Sequence, residues 1–284
     1  MRKVGIIANT TKNEAAIFAI QLAAWFLKCD CHPLISSDVT VPLEFEDYSC
    51  DQSRMFDICD FVVVLGGDGT MLNTASLAAT HDIPLLGINM GRLGYLTDVD
   101  TPEAFNSIEK VLQGEYKEEK RMMLSVDIEG KPDAKKVALN DVVVASNPSF
   151  KMVSAEIWIN GEYIDTYRAD GIMISTPTGS TAYNLSAGGP ILEPTVEMMI
   201  ITLICPHLIY ARPYVISAND TINIIITGDH ADESKVVVDG QNAAELKSGD
   251  KIIISRSEYY TRTIRTTSLG FYDILRQKMM RLHD

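Results

Sequence analysis

Long apolar runs are missing from this chain of 284 residues. The run Met198–Cys205 follows Glu197 and falls far short of the ~20 apolar residues of a membrane-spanning helix. Basic residues are the minority: 25 Lys and Arg stand against 38 Asp and Glu, a net charge of −13. That acidic balance argues against broad binding to nucleic-acid phosphates or anionic membranes. It leaves room for one anionic small ligand, because backbone amides and a few basic groups override the global field locally. Cysteines number five and are scattered. Cys29, Cys31 and His32 form a C-x-C-H cluster with no second ligand pair at zinc spacing, so they read as thiols in a reducing compartment. The start MRKVGIIANT reaches polar Asn9, Thr10 and Thr11 too soon for a secretory signal and is expected to be a first strand. A soluble, cytoplasmic protein is expected. No fixed-period repeat or low-complexity segment occurs.

What is present is an ordinary globular composition, 46% hydrophobic and 22% charged, in a chain long enough for two domains. The first part alternates strand and helix patterns. Val4–Ala8, Phe61–Leu65 and Pro84–Ile88 are strand-like, while Glu14–Lys28, Thr70–Ala79 and Thr101–Gln113 carry helical spacing. Thr101 reads as an N-cap with Pro102 at the first helical position. Such alternation predicts a parallel, doubly wound sheet with ligands at the carboxyl ends of its strands. The acidic stretch Glu44, Glu46, Asp47 and Asp51 reads as a solvated linker.

After about residue 120 the pattern changes to short, closely spaced strands: Met122–Ile128, Val137–Ala145, Ala155–Ile159, Tyr163–Arg168 and Gly171–Ser175. Asn160-Gly161 marks a hairpin, and Thr221–Thr227, Lys235–Val238 and Lys251–Ser255 continue the series. The polar loop 228–234 reads as a solvated hairpin tip. The expected fold is α/β plus all-β: a Rossmann-like α/β domain over residues 1–119, then a β-sandwich over 120–270. A helical tail, 271–284, is expected to pack back on the first domain.

Two segments carry chemistry. In FVVVLGGDGT, Gly66, Gly67 and Gly69 turn the chain after a buried strand, the usual setting for phosphate at a helix N-terminus. Asp68 stands in the middle of that turn, where its charge would repel phosphate. No Gly-Lys-Ser/Thr follows, and the pattern is not Gly-x-Gly-x-x-Gly. In DGIMISTPTGSTAYNLSAGGP, residues 170–190, a strand runs into Ser175, Thr176, Thr178, Ser180 and Thr181 among glycines. Such hydroxyls and amides can surround sugar hydroxyls or phosphates without adding charge; an ordinary polar loop is the plainer alternative. A hydrolase elbow is excluded by the absence of Gly-x-Ser-x-Gly.

Together these segments resemble the NAD kinase family. Gly66-Gly67-Asp68-Gly69-Thr70 matches its GGDGT motif, and residues 89–96, NMGRLGYL, match its NxGxLGFL-like loop. Leu139-Asn140-Asp141 matches its Asn-acidic motif, and residues 170–190 match its long hydroxyl-rich signature. Pro206-His207, Arg212-Pro213 and Asp239-Gly240-Gln241 fit weaker motifs, and Ser268–Gln277 closes the match. GGDGT alone is shared with phosphofructokinases and with lipid kinases. The resemblance implies an α/β domain and a β-sandwich with NAD between them, in a homodimer or homotetramer, with no nucleic-acid or membrane partner. The implied reaction moves the ATP γ-phosphoryl group to the 2′-hydroxyl of the adenosine ribose of NAD, with Mg²⁺ bridging ATP oxygens.

By that resemblance Asp68 orients or deprotonates the acceptor hydroxyl; capping of the following helix is its alternative role. Gly67, Gly69 and Thr70 would line the phosphates. Tyr95 would flank the adenine or pack in the core. Asn140 and Asp141 would contact NAD, although many relatives carry Glu where Asp141 stands, one methylene longer. Thr178, Thr181, Ala182, Tyr183 and Ser186 are further implied NAD contacts, with Ala182 and Tyr183 near the nicotinamide. Asp170 is implied as a ribose or partner-subunit contact, or else a turn residue. Arg212 meets phosphate or a structural salt bridge, and His207 is structural. No residue is implied as a protein metal ligand. A lipid or sugar kinase sharing GGDGT, or a non-catalytic NAD(P) sensor, are the competing readings.

Overall fold

The computed structural model describes residues 1–91, 93–97, 99–132, 135–146, 152–208, 210–228 and 234–280. Arg92 of the NMGRLGYL loop and most of the expected hairpin tip at 228–234 lie outside the described residues. In chain order the first elements are β1 (Lys3–Ala8), α1 (Asn13–Lys28), β2 (His32–Ser36), β3 (Ser49–Cys50) and α2 (Gln52–Ile58). Then come β4 (Phe61–Gly66), α3 (Asp68–Thr80), β5 (Leu85–Asn89), β6 (Val99–Asp100) and α4 (Ala104–Gln113). The β-rich part holds β7 (Lys117–Ile128), β8 (Lys136–Ala138), β9 (Asp141–Ser146), β10 (Val153–Ile159), β11 (Glu162–Ala169) and β12 (Gly171–Ser175). A short helix, α5 (Tyr183–Ser186), leads to β13 (Met198–Ile204), β14 (Tyr214–Ser217), β15 (Ile222–Thr227), β16 (Ser234–Val238) and β17 (Gln241–Leu246). The long β18 (Lys251–Arg265) and α6 (Phe271–Met280) complete the described elements. Among the described residues no helix is long and apolar enough to cross a membrane.

Contacts divide the chain into two compact units, Met1–Lys120 with the stretch from Thr261, and Arg121–Tyr260. The first unit is a parallel sheet ordered β3-β2-β1-β4-β5, with β6 pairing the end of β5 and Thr263 of β18 pairing Leu85. That order places a switch point between β1 and β4, where successive crossovers run in opposite directions and leave a crevice at the strand ends. The strands are buried almost throughout, as expected when helices cover both faces. Phe18, Leu22 and Phe26 of α1, with Ile108 and Val111 of α4, join Val4, Ile6, Val63, Leu65 and Ile88 in one core.

The second unit is a sandwich. One sheet runs β14-β13-β12-β9-β16-β17; the other holds β11, β10, β15 and the first part of β18, with β7 and β8 alongside. Alternate residues of both fill a shared core, among them Leu124, Val142, Val144, Ile157, Ile174, Ile201, Ile224, Val236 and Ile254. Asn160 and Gly161 turn the β10–β11 hairpin with φ of 52° and 83°, the left-handed pair expected of Asn-Gly.

Several expected elements took another form. The run 137–145 is broken at Leu139-Asn140 into β8 and β9, because the backbone there is diverted to side-chain partners described below. Thr101 does not cap a helix: it opens a 3₁₀ turn, Thr101–Glu103, and its hydroxyl donates to the Asn89 carbonyl at 3.1 Å. The acidic linker is structured, since Leu43–Tyr48 forms a 3₁₀ helix that buries Phe45, and Asp51 caps α2 by accepting from the Ser53 amide.

Candidate active site

Helix α3 begins at Asp68, two residues earlier than its apolar periodicity indicated, because Gly67 is extended (φ −117°, ψ −168°) and serves as the N-cap. The first bonds closing the helix run from the Thr70 and Met71 amides to the Gly67 carbonyl, at 3.0 and 3.1 Å. The Asp68 and Gly69 amides lie ahead of them, at the positive end of the helix dipole. A Cβ added at Gly67 or Gly69 would meet nothing within 4 Å, so these two glycines keep an open face above the turn. Gly66 differs: its Cβ would stand 2.2 Å from the Thr70 hydroxyl.

Asp68 does not cap its own helix. Its carboxylate reaches across to the loop after β5, where Oδ2 accepts from the Tyr95 amide and Oδ1 from the Leu96 amide, both at 2.9 Å. Thr97 Oγ1 is a more distant donor to Oδ1 at 3.5 Å, and Lys278 Nζ lies 3.3 Å from Oδ2. Gly94 permits this approach, since a Cβ there would fall 2.0 Å from Oδ1. Burial and the neighbouring Asp68 charge push the Tyr95 phenol up from its ordinary value. Around the switch point, the Asn9 amide donates to the Leu65 carbonyl at 2.8 Å, and the exposed Lys12 ammonium donates to the Met90 carbonyl at 3.2 Å. Lys12 carries no motif, and only the strand order reveals that it stands beside the glycine turn.

In the second unit the Asn-Asp motif is built around a residue that sequence reading ranked low. Asp239, in the left-handed region at φ 48°, turns its carboxylate onto three successive amides. These are Leu139 at 2.7 Å, Asn140 at 2.8 Å and Asp141 at 3.0 Å. The Asp239 amide donates back to the Asp141 carbonyl at 3.0 Å. From the other side, the Ser175 hydroxyl and Thr176 amide donate to the Asn140 carbonyl, and the Thr176 hydroxyl donates to the Leu139 carbonyl. Gly179 packs against that carbonyl of Asn140 so closely that a Cβ would come within 2.2 Å. Both backbone polar groups of Asn140 are thus committed, and its half-buried side chain projects from a locked backbone.

Asp141 is 7% exposed, and its carboxyl is pushed up to about 7 by burial first and by Asp239 second. Burial also raises Asp239, while its three amide donors work in the opposite direction. Of the pair, Asp239 is the one whose charge is compensated, so Asp141 holds the proton. Near neutral pH the Asp141 carboxyl is therefore able to donate as well as accept.

The hydroxyl-rich stretch is mostly internal scaffolding. Ser180 donates to the Pro177 carbonyl and accepts from the Leu192 amide, and buried Asn184 accepts from Thr202 while donating to Ser180 and Pro190 carbonyls. Thr178 is buried, and its hydroxyl accepts a long 3.5 Å contact from Arg121. Thr181 and Ala182 are half-buried, and Tyr183 and Ser186 are exposed, so the outward-facing groups follow Thr178 in the chain. Asp170 sits apart. It precedes the β12 residue that pairs with Ala145, whereas Ser175 at the opposite end of β12 pairs with Asp141, roughly 16 Å away at strand rise. Arg212 is exposed and donates to the Ala211 carbonyl; His207 bonds through its backbone amide to the Arg168 carbonyl.

Among the described residues no three His, Cys, Asp or Glu side chains converge as a metal site. An Mg²⁺ that arrives with a nucleotide needs only phosphate oxygens, water and one or two carboxylates, and half-buried Asp68 beside the open glycine turn fits that requirement.

A fixed carboxylate in an open glycine turn at a Rossmann-like switch point, on a chain that continues into a β-sandwich, defines a nucleotide-handling protein. The ATP-NAD kinase N-terminal domain matches residues 4–116, and the ATP-NAD kinase C-terminal domain matches residues 139–266. The NAD kinase of Thermoanaerobacter sp. (strain X514) is 41% identical over 282 residues, spanning 98% of this chain and 99% of that relative. An NAD kinase from Archaeoglobus fulgidus, solved in complex with ATP, superposes with a TM-score of 0.76 at 25% identity, over 99% of this chain and 98% of that one. Yeast NADH kinase, solved with NADH, shares the fold with a TM-score of 0.89 at 24% identity, over 98% and 87% of the two chains. The chain belongs to the NAD kinase family.

Two expectations follow for the second unit. Asp239→Ala strands three buried amides, so stability should fall by about 3 kcal/mol or more, read from the urea midpoint; an unchanged midpoint would remove Asp239 from its structural role. The pH dependence has a definite sign. With the Asp141 carboxyl raised above its unfolded value of 3.8, the native state binds the extra proton, so this group's penalty is absent below that value and complete above about 7. Relative to Asp141→Asn, the wild type should lose roughly 1–3 kcal/mol of stability between pH 5 and 8. Parallel pH profiles for the two proteins would contradict the shift.

Proposed function

We infer that the chain transfers the γ-phosphoryl group of ATP to the 2′-hydroxyl of the adenosine ribose of NAD, giving NADP and ADP. Family membership over nearly the whole chain supports the two substrates. The observation that carries the mechanism is Asp68, a carboxylate pinned by the Tyr95 and Leu96 amides in a turn whose glycines leave an open face. Phosphoryl transfer asks little covalent chemistry of a protein; it needs the acceptor aligned and the charge offset.

In this reading Asp68 accepts a hydrogen bond from the ribose hydroxyl, aims its oxygen and takes its proton as the bond to phosphorus forms. The amides ahead of the first helical bond, with Gly67, Gly69 and Thr70, lie along the phosphates, and Lys12 supplies a nearby positive charge. Mg²⁺ arriving with ATP would offset the negative charge that the turn gathers, and the Asp68 carboxylate beside the turn would help to hold it. Tyr95 flanks the adenine with the ring face that Lys278 does not cover. Asn140 presents an amide to NAD, and Asp141 presents a carboxyl that donates or accepts. Thr178 shapes the segment from within, while Thr181, Ala182, Tyr183 and Ser186 face the dinucleotide, Ala182 and Tyr183 at the nicotinamide end. Asp170 stands away from the Asn140 group along its own sheet and is better suited to a partner-subunit contact. A homodimer or homotetramer in the cytoplasm completes the reading; all five cysteines are unpaired, as a reducing compartment requires.

Purified protein given NAD, ATP and Mg²⁺ should form NADP, detected with an NADP-specific dehydrogenase; no product under several metal and donor conditions would sink the reading. Asp68→Asn should lower kcat by roughly 10²–10⁴ with KM for NAD little changed. Equal loss of binding and turnover would instead mark Asp68 as a loop clamp only.

A further inference from the structure

Helix α6 brings a basic side chain to Asp68 from 210 residues away. Lys278 Nζ lies 3.3 Å from Asp68 Oδ2 and 4.0 Å from the centre of the Tyr95 ring. Phe271, two helical turns earlier on the same face, sets its ring 6.3 Å from that of Tyr95 at 40°. Both contacts to the Tyr95 ring thus come from one helix, and the Tyr95 amide donates to the same Oδ2 that Lys278 meets. Ile274, midway between them, is buried and docks the helix. Apolar contacts therefore hold α6, and a half-exposed ion pair adds little to that docking. The ammonium's position needs another explanation.

Resting on the reading of Asp68 given above, we propose that Lys278 is a positioning residue for phosphoryl transfer. Its ammonium fixes Oδ2 and the Tyr95 ring together and makes the C-terminal helix part of the reaction site. An ammonium has three donors, and one directed at Oδ2 prevents the carboxylate from swinging toward its own helix. It also places a positive charge beside a carboxylate that must tolerate incoming phosphates. Arg in its place retains both the charge and the affinity for an aromatic face, whereas Met retains only the length.

The test compares Lys278→Met and Lys278→Arg with the wild type, measuring kcat, KM for NAD and ATP, and Tm. The expected result is a 10- to 100-fold lower kcat in Lys278→Met, with KM for NAD within about twofold, Tm unchanged, and partial recovery in Lys278→Arg. Wild-type or higher kcat in Lys278→Met overturns the proposal, as does an equal loss in both variants accompanied by a lower Tm, which would assign Lys278 to docking. A wild type that forms no NADP overturns the parent reading instead. An active wild type, an inactive Asp68→Asn and a fully active Lys278→Met overturn this inference alone.

Discussion

A carboxylate gripped by backbone amides is the device on which the candidate loops of each unit depend. In the first unit Asp68 holds the amides of Tyr95 and Leu96, which fixes the loop after β5 against the turn after β4. In the second, Asp239 holds the amides of Leu139, Asn140 and Asp141, which stops β8 from running on into β9. Charge-assisted bonds of this kind are stronger than neutral ones and tolerate little misalignment, so each loop has one conformation to offer a ligand. Pre-organisation matters most where the chemistry consists of alignment.

The glycines divide along the same line. Gly94, Gly179 and Gly189 are small so that the chain can approach itself: added Cβ atoms would lie 2.0 to 2.2 Å from Asp68, Asn140 and Asn184 respectively. Gly67 and Gly69 are small with nothing nearby, which leaves backbone open to a ligand. A motif string cannot distinguish the two uses, since GGDGT places Gly66, which would clash with Thr70, next to Gly67, which would touch nothing.

Periodicity was enough to read the architecture, because buried parallel strands and alternating sandwich strands leave opposite patterns. The switch to β-rich sequence near residue 120 is visible without any motif, and GGDGT falls at a strand end as the doubly wound pattern requires. Roles that periodicity does not reveal depend on partners distant in sequence. Asp239 acts 98 to 100 residues from the amides it holds, and Lys278 acts 210 residues from Asp68. Short elements also failed to register: Leu43–Tyr48 buries only Phe45, too little for a periodic signal. The hydroxyls of residues 175–180 were legible as a group but not in direction. Ser175, Thr176 and Ser180 turned inward to carbonyls, because a loop locked from both sides must satisfy its buried polar groups internally.

The net charge of −13 looks ill matched to two anionic substrates, yet the turn itself is not acidic in effect. Asp68 is its only carboxylate, and that charge is countered by two amides and an ammonium in direct contact. Lys12, just ahead of α1, adds a second cation, and the start of α3 adds the positive pole of a helix. With Debye screening of ~8 Å at physiological salt, the remote acidic surface is damped while these contacts are not. A chain that repels polyanions in general can therefore still receive one nucleotide at a turn where the local charges are arranged for it, and the same acidity works against nucleic acid occupying that turn.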